Sequence, residues 1–223
     1  MAVTRLPRRI PRRDEQARAQ LEVVAQGARP MVLARDRSVT LDGALADLVP
    51  GGAVVRGTVL RVAGAPGAGS TTVAFELAAA FTALGEWAAA VDLDATLGPL
   101  AAAEAGVALE RFAVVRRVPP ARWATVVAAL LEGVTLVVAD VPRGVGVGDA
   151  HRLTARARER DAVLVVHERA GASWPVAAAL TLRASGGAWD LTAGHLVARA
   201  VHVVVAGRGA AARPVAGELA RAV

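Results

Sequence analysis

The chain has 223 residues, and 54% of them are hydrophobic. This length suits one sizeable α/β domain and is too short for two domains of that size. It contains no cysteine, which excludes disulfides and thiolate metal sites, and its four histidines lack metal-ligand spacing, so no metal site is expected. The net charge of +6 suits a phosphate-bearing partner. Because lysine is completely absent, however, GC-rich coding that inflates arginine explains part of that charge, and nucleic-acid binding is not established by it.

Residues 1–37 are predicted to form a basic tail followed by a short helix over 14–26. The tail is either solvated or in contact with DNA or an acidic partner, and the helix docks on the domain's own core or on a partner. The N-terminus lacks the apolar stretch of a signal peptide, and no apolar run reaches the roughly 18 residues that cross a bilayer. We therefore expect a cytoplasmic protein without a membrane partner.

From about residue 38 to residue 215, predicted strands and helices alternate. Helices are expected over 39–49, 70–85, 121–133 and 151–161, and buried strands over 58–64, 87–94, 134–141 and 162–168. The stretch 179–209 has the pattern of strands joined by tight turns, and residues 216–223 are expected to form a C-terminal tail outside the sheet. The pattern predicts an α/β fold with a mostly parallel sheet flanked by helices and extended by antiparallel C-terminal hairpin strands.

The most informative stretch is a glycine-rich loop between the first buried strand and the helix after it. Its G-x-x-x-x-G spacing is that of a phosphate-binding loop, in which backbone N–H groups and the helix N-terminus bind an anion. The candidate phosphate-binding residues are Gly64, Gly67, Gly69, Ser70, Thr71 and Thr72. Ser70 stands where such a loop has lysine, and its hydroxyl carries no charge, so efficient ATP hydrolysis is not expected.

Thr71 nevertheless remains where a Mg²⁺-binding hydroxyl would sit. Binding of ATP and Mg²⁺ is therefore left open, although no cofactor is expected. The alternative is that the loop is only a strand-to-helix connection kept for folding.

Two carboxylates follow the later strands. Asp140 ends the apolar strand TLVVAD, and Asp94 closes the strand AAAVDLD. Each is a candidate vestigial catalytic acid or a residue that caps a loop, and capping is the favoured role of Asp92. Arg152 and Arg156 lie one helical turn apart and form either a DNA-contacting face or a solvated one.

In order and spacing these segments resemble RecA. The similarity begins with residues 41–56 and continues with the loop GAPGAGSTT. The segment VDLD resembles the strand that bears the catalytic glutamate, with Asp94 in its place. TLVVADV resembles the Walker B strand, and AVLVVHE has His167 near a polar sensor position. The resemblance covers roughly residues 38–215 and implies a RecA-like P-loop core. It also places the loop 168–175, with Trp174 as a possible partner anchor, where RecA-like proteins contact DNA.

Within that superfamily the chain is most similar to the ImuA-type proteins of actinobacteria. Trp174-Pro175, the stretch Leu182–Arg199, Val203–Val205 and the turn Gly207–Gly209 carry this match. The resemblance implies an SOS-induced accessory subunit of a mutagenic translesion-synthesis complex, nucleoid-associated on DNA damage. Its implied partners are an inactive Y-family polymerase homologue (ImuB-like) and, through it, an error-prone replicative-type polymerase and the sliding clamp.

Three functions remain open at this point. The chain is a non-catalytic module that recruits or regulates the translesion polymerase, a weak DNA-dependent ATPase that uses Thr71, Asp140 and Asp94, or a DNA-binding regulator of RecA. The missing lysine separates the first from the second. The scarcity of aromatic residues weighs against a dedicated single-strand binder. The helix over 14–26 and the C-terminal end, 213–223, are the candidate partner-binding segments.

Overall fold

The computed structural model describes residues 37–193 and 195–222, so the basic tail and the helix predicted over 14–26 lie outside the described residues. The helices are α1 (Gly43–Leu48), α2 (Ser70–Ala83), α3 (Pro99–Glu104), α4 (Pro120–Gly133) and α5 (Val147–Glu159). The strands are β1 (Ser38–Thr40), β2 (Ala53–Val55), β3 (Val59–Gly64), β4 (Ala88–Asp92), β5 (Phe112–Arg116), β6 (Leu136–Asp140), β7 (Val163–Glu168), β8 (Leu180–Thr192), β9 (His195–Gly207) and β10 (Val215–Ala222). None of the helices in these ranges is long and apolar enough to span a membrane.

Eight strands form one sheet in the order β10-β9-β8-β3-β7-β6-β4-β5. The six strands from β8 to β5 run parallel, whereas β9 and β10 are antiparallel to their neighbours. This arrangement confirms the predicted mixed α/β fold, with a mostly parallel sheet and antiparallel C-terminal strands. A separate antiparallel pair joins β1 to β2.

Continuous apolar sequence in β4, β6 and β7 is explained by burial on both faces of the sheet, since every residue of these three strands is buried. One core cluster packs α1, α2 and α3 against the sheet and includes Phe81. A second cluster packs α4 and α5 through Trp123 and Leu153. Helices therefore contribute to two separate apolar layers, as the sequence pattern predicts.

The tail predicted for residues 216–223 is wrong, because residues 215–222 form β10 and pair with β9 along their whole length. The segment has the period of a strand: Leu219 is buried, while Glu218 and Ala220 on either side of it are exposed. The helix predicted over 39–49 is also too long. Its first residues form β1, and Asp42 precedes the six-residue helix α1.

Strand order positions the functional site. Strand β7 lies between β3 and β6, and the three strands are parallel, so their carboxyl ends share one edge of the sheet. In this ladder Asp140 of β6 is directly opposite His167 of β7. The glycine-rich loop follows β3 at the same edge.

Candidate functional site

The loop between β3 and α2 is pressed closely against the antiparallel strands. A Cβ atom on Gly64 would lie 2.9 Å from the carbonyl oxygen of Ala184 in β8. Gly69 has a φ of +94°, and a Cβ there would lie 2.6 Å from Cγ2 of Val201 in β9. Glycine is required at these two positions by close backbone approach, and at Gly69 also by a left-handed conformation.

Ser70 is the first residue of α2, directly after Gly69. Its hydroxyl oxygen lies 2.9 Å from Nε2 of His167. The other ring nitrogen of His167, Nδ1, lies 2.7 Å from Oδ1 of Asp140. Because an ionised carboxylate only accepts hydrogen bonds, Nδ1 carries a proton toward Asp140. In the neutral imidazole Nε2 then carries no hydrogen and accepts that of the Ser70 hydroxyl. Ser70, His167 and Asp140 thus form one hydrogen-bonded chain.

Asp140 is buried at the end of β6, and three protein groups donate hydrogen bonds to its carboxylate. Burial opposes its ionisation, but the hydrogen bond from His167, the charge of Arg169 and the N–H of Leu93 outweigh that effect, so the pKa of Asp140 is lowered. Both the Leu93 N–H and Nη1 of Arg169 lie 3.2 Å from Oδ2. The carboxylate is therefore ionised and fully engaged by protein donors.

Asp94 and Asp92 have different roles. Asp94 is exposed and pairs with Arg169, whose Nη2 lies 3.0 Å from its Oδ2. Asp92 is fully buried, and its two oxygens accept the backbone N–H groups of Thr96 and Leu97 at 3.0 Å each. The predicted capping role of Asp92 is confirmed, and Arg169 connects Asp94 to Asp140.

A cavity of about 420 Å³ opens in front of the loop. It is lined by the candidate phosphate-binding residues Gly64, Gly67, Gly69, Ser70, Thr71 and Thr72, together with Asp94, His167, Arg169 and Arg199 among others. Arg199 comes from β9, donates to the carbonyl of Gly67, and lies with its guanidinium carbon 4.7 Å from the ring centre of Trp189. Two arginines, Arg169 and Arg199, therefore line the cavity.

The structure does not bring Arg152 and Arg156 to this cavity. Both lie on α5, where Arg152 pairs with Asp149 and Arg156 pairs with Glu132. Trp174 cannot serve as an exposed partner anchor, because it is 3% exposed and packs edge-to-face against Trp123 at 6.4 Å between ring centres. Within residues 37–193 and 195–222, no group of three or more His, Asp or Glu side chains could hold a metal ion.

The glycine-rich loop and Asp140, both predicted site residues, lie at the same edge of the sheet, and two further residues of this cluster were not predicted as site residues. His167 was noted only near a polar sensor position, although it ends an apolar strand beside another apolar strand that ends in Asp140. Paired polar residues at the ends of two buried strands are the signal that could have joined them. Arg199 lies 132 residues beyond Gly67, its bonding partner, and no local pattern marks it.

Comparison with protein families gives one match, to the MT3502 N-terminal domain, over residues 47–176. The chain belongs to the MT3502 N-terminal domain family. The match covers more than half of the chain and includes Ser70, Asp140 and His167, but it ends before β8. No curated protein matches the chain.

Proposed function

We propose that this chain is a RecA-like, ImuA-type accessory subunit of a mutagenic translesion-synthesis complex, which engages its partners without turning over ATP. One observation carries the proposal. At the position where a RecA-like ATPase has a phosphate-binding lysine, Ser70 is hydrogen-bonded to His167 and, through it, to Asp140. The glycine-rich loop and the helix after it are kept, while the charged machinery of phosphoryl transfer is replaced by a neutral hydroxyl.

Phosphoryl transfer needs cations that neutralise the charge developing on the transferred group. Ser70 supplies no charge, which removes several kcal/mol of transition-state stabilisation in the usual range for such groups. Mg²⁺ would need Asp140, yet its two oxygens accept from His167, Arg169 and Leu93. The residues present therefore do not fit a Mg²⁺–ATP complex poised for hydrolysis.

The partner-binding half of the proposal rests on the resemblance to ImuA-type proteins and is supported by an exposed apolar surface. Near the far end of the β8–β9 hairpin, Leu191 is opposite Leu196 across the two strands, and both side chains are exposed. Trp189 and Val197 are exposed beside them. Contiguous exposed apolar residues are typical of protein-binding surfaces. The ImuB-like polymerase homologue is the proposed partner, and any contact with DNA is secondary to it.

A nucleotide assay tests the first half. We expect the purified native chain to hydrolyse no ATP, with or without single-stranded DNA, and the Ser70→Lys variant to remain inactive because Asp140 is still engaged. The matched control is Asp47→Asn, which changes an exposed carboxylate of α1 that does not line the cavity. DNA-stimulated hydrolysis by the native chain that Asp140→Asn abolishes would instead identify a divergent RecA-type motor.

A binding and mutagenesis assay tests the second half. The Leu191→Ser/Leu196→Ser variant should lose capture of the Y-family polymerase homologue and lower damage-induced mutation frequency. Leu84 and Leu100 are exposed leucines elsewhere on the domain, at 60% and 70% against 65% and 47% for Leu191 and Leu196, so Leu84→Ser/Leu100→Ser is the control. Unchanged capture by the hairpin variant, with its melting temperature also unchanged, would exclude this surface as the polymerase contact.

A further inference from the structure

We infer that Ser70, His167 and Asp140 form a nucleophilic relay, through which Ser70 accepts the acyl group of a small ester that carries an anionic group. This goes beyond the proposed accessory function, which requires no covalent chemistry. The hydrogen bonds that join Ser70, His167 and Asp140 have the arrangement that activates a serine hydroxyl.

The geometry matches what serine activation requires. The hydroxyl oxygen of the nucleophile must lie within hydrogen-bonding reach of a base, which a third group orients. Here the Ser70 hydroxyl lies 2.9 Å from Nε2 of His167, and Nδ1 of His167 lies 2.7 Å from Asp140. His167 and Asp140 are 5% and 2% exposed, so the base and its orienting acid are shielded from water. Ser70 is half-buried and lines the cavity, which leaves its hydroxyl accessible.

An oxyanion site accompanies the relay. Ser70 begins the 14-residue helix α2, and the first backbone N–H groups of a helix have no partner within it. These N–H groups and the helix dipole stabilise negative charge that develops beside the first residue. Because the activated hydroxyl belongs to the first residue of α2, the free N–H groups of the helix start lie beside the carbonyl group that the hydroxyl would attack.

Charge in the cavity indicates the class of substrate. Arg169 lines it on the β7 side, paired with Asp94 and Asp140, and the two lining carboxylates, Asp94 and Glu168, are each paired with an arginine. Arg199 lines it on the β9 side, and its buried Nε has no hydrogen-bond partner among the described residues. Guanidinium groups bind carboxylates and phosphates through paired hydrogen bonds. A cavity of about 420 Å³ accommodates a small molecule. We therefore assign an ester whose acyl or leaving portion carries a carboxylate or phosphate.

The reaction balances without an added oxidant or reductant. Oγ of Ser70 forms a bond to the carbonyl carbon of the ester while its proton passes to Nε2 of His167. The bond from that carbon to the leaving oxygen then breaks, and His167 gives its proton to the departing alcohol. Water completes the cycle by the same route, which releases the carboxylic acid and restores the Ser70 hydroxyl.

The test uses the purified full chain and two chromogenic substrates, p-nitrophenyl acetate and the mono-p-nitrophenyl ester of succinic acid. We expect a stoichiometric burst of nitrophenolate, faster with the succinate ester, and an acyl group on the peptide that contains Ser70. A fluorophosphonate probe, whose phosphorus would take the place of the carbonyl carbon and whose fluoride would leave, should label the same serine. Ser70→Ala should abolish the burst, and His167→Gln should slow it roughly 10²–10⁴-fold.

The chain provides a matched control. Ser185 is directly opposite His202 in the β8–β9 ladder, and Nδ1 of His202 lies 3.0 Å from Glu218. This is also a serine, a histidine and a carboxylate in a row, but within the described ranges no side-chain hydrogen bond joins Ser185 to His202. Ser185→Ala should therefore leave both the burst and the labelling unchanged.

Two outcomes would overturn the inference: Ser70 of the native chain unlabelled, or Ser70 labelled no faster than Ser185. Circular dichroism of each variant shows whether it is folded. If His167→Gln is unfolded, comparison of the native chain with Ser70→Ala still decides, because that change removes a single oxygen atom. The result is separable from the accessory function, since the Ser70→Ala variant should still capture the polymerase homologue.

Discussion

Gly69 provides a quantitative test of how tightly the glycine-rich loop is held against the sheet. Alanine at this position would have a φ near +94°, a conformation that costs an L-residue roughly 1–2 kcal/mol. Its Cβ would also lie 2.6 Å and 2.7 Å from the two methyl carbons of the buried Val201, an overlap that costs about 1–3 kcal/mol to relieve. We expect Gly69→Ala to lower the free energy of unfolding by about 2–5 kcal/mol.

Gly67 in the same loop separates the two contributions. Its φ is also positive, at +77°, but a Cβ there would meet no atom within 4 Å. Gly67→Ala should therefore cost only the conformational strain, about 1–2 kcal/mol. The difference between the two variants isolates the contact with Val201.

Urea denaturation of the two variants, each alone and combined with Val201→Ala, measures these quantities. Val201→Ala removes the two methyl groups and should reduce the cost of Gly69→Ala while leaving that of Gly67→Ala unchanged. Equal costs for the two glycine substitutions, or a cost at Gly69 that does not respond to Val201→Ala, would refute the close approach of loop and strand.

Three further predictions follow from buried groups. Because the pKa of Asp140 is lowered in the folded protein, its ionised carboxylate stabilises the fold at pH values above the pKa of an ordinary aspartate. That stabilisation is lost as the pH falls through the lowered pKa. The loss of unfolding free energy caused by Asp140→Asn, measured by urea denaturation, should therefore shrink below about pH 4. Trp174→Ala should cost about 3–5 kcal/mol by thermal or urea denaturation, whereas Trp174→Phe should cost less, because the buried indole N–H has no partner among the described residues. Burial opposes the ionisation of Glu86, but the hydrogen bonds and charge of Arg56 contribute to a net lowering of its pKa. Arg56→Met should therefore raise the pKa of Glu86 in an NMR titration, and an unchanged pKa would exclude the ion pair.

Much of the fold could be predicted because its main elements have strong local patterns. The apolar runs that became β6 and β7 are buried throughout, and the apolar residues of α2 follow the glycine-rich loop directly. The loop itself was recognisable from its spacing alone. These features depend on residues adjacent in sequence, which is the information that periodicity and turn chemistry contain.

The rest depends on strand order and long-range pairing, which no local pattern specifies. Residues 216–223 were predicted to form a tail outside the sheet, and a short alternating segment with glutamate and alanine does not reveal its partner strand. As β10 it pairs with β9, and its Leu219 is buried in the core that also contains Leu48. The contact of Ser70 with His167 joins residues 97 positions apart, and it exists because β7 lies next to β3.

The end of β7 determines the chemistry of the site more than the glycine-rich loop does. Side chains alternate along a strand, and the last residues of this strand diverge accordingly. His167 reaches Ser70 and Asp140, and Arg169, two residues on, reaches Asp94 and Asp140. Glu168 instead accepts the backbone N–H of Trp174 at 2.6 Å and pairs with Arg61 at 2.8 Å, which anchors the strand end in the core. One anchored strand end and the residue that follows it therefore supply both the histidine and the arginine of the site. A lysine introduced at position 70 would face His167 and an Asp140 already paired with Arg169.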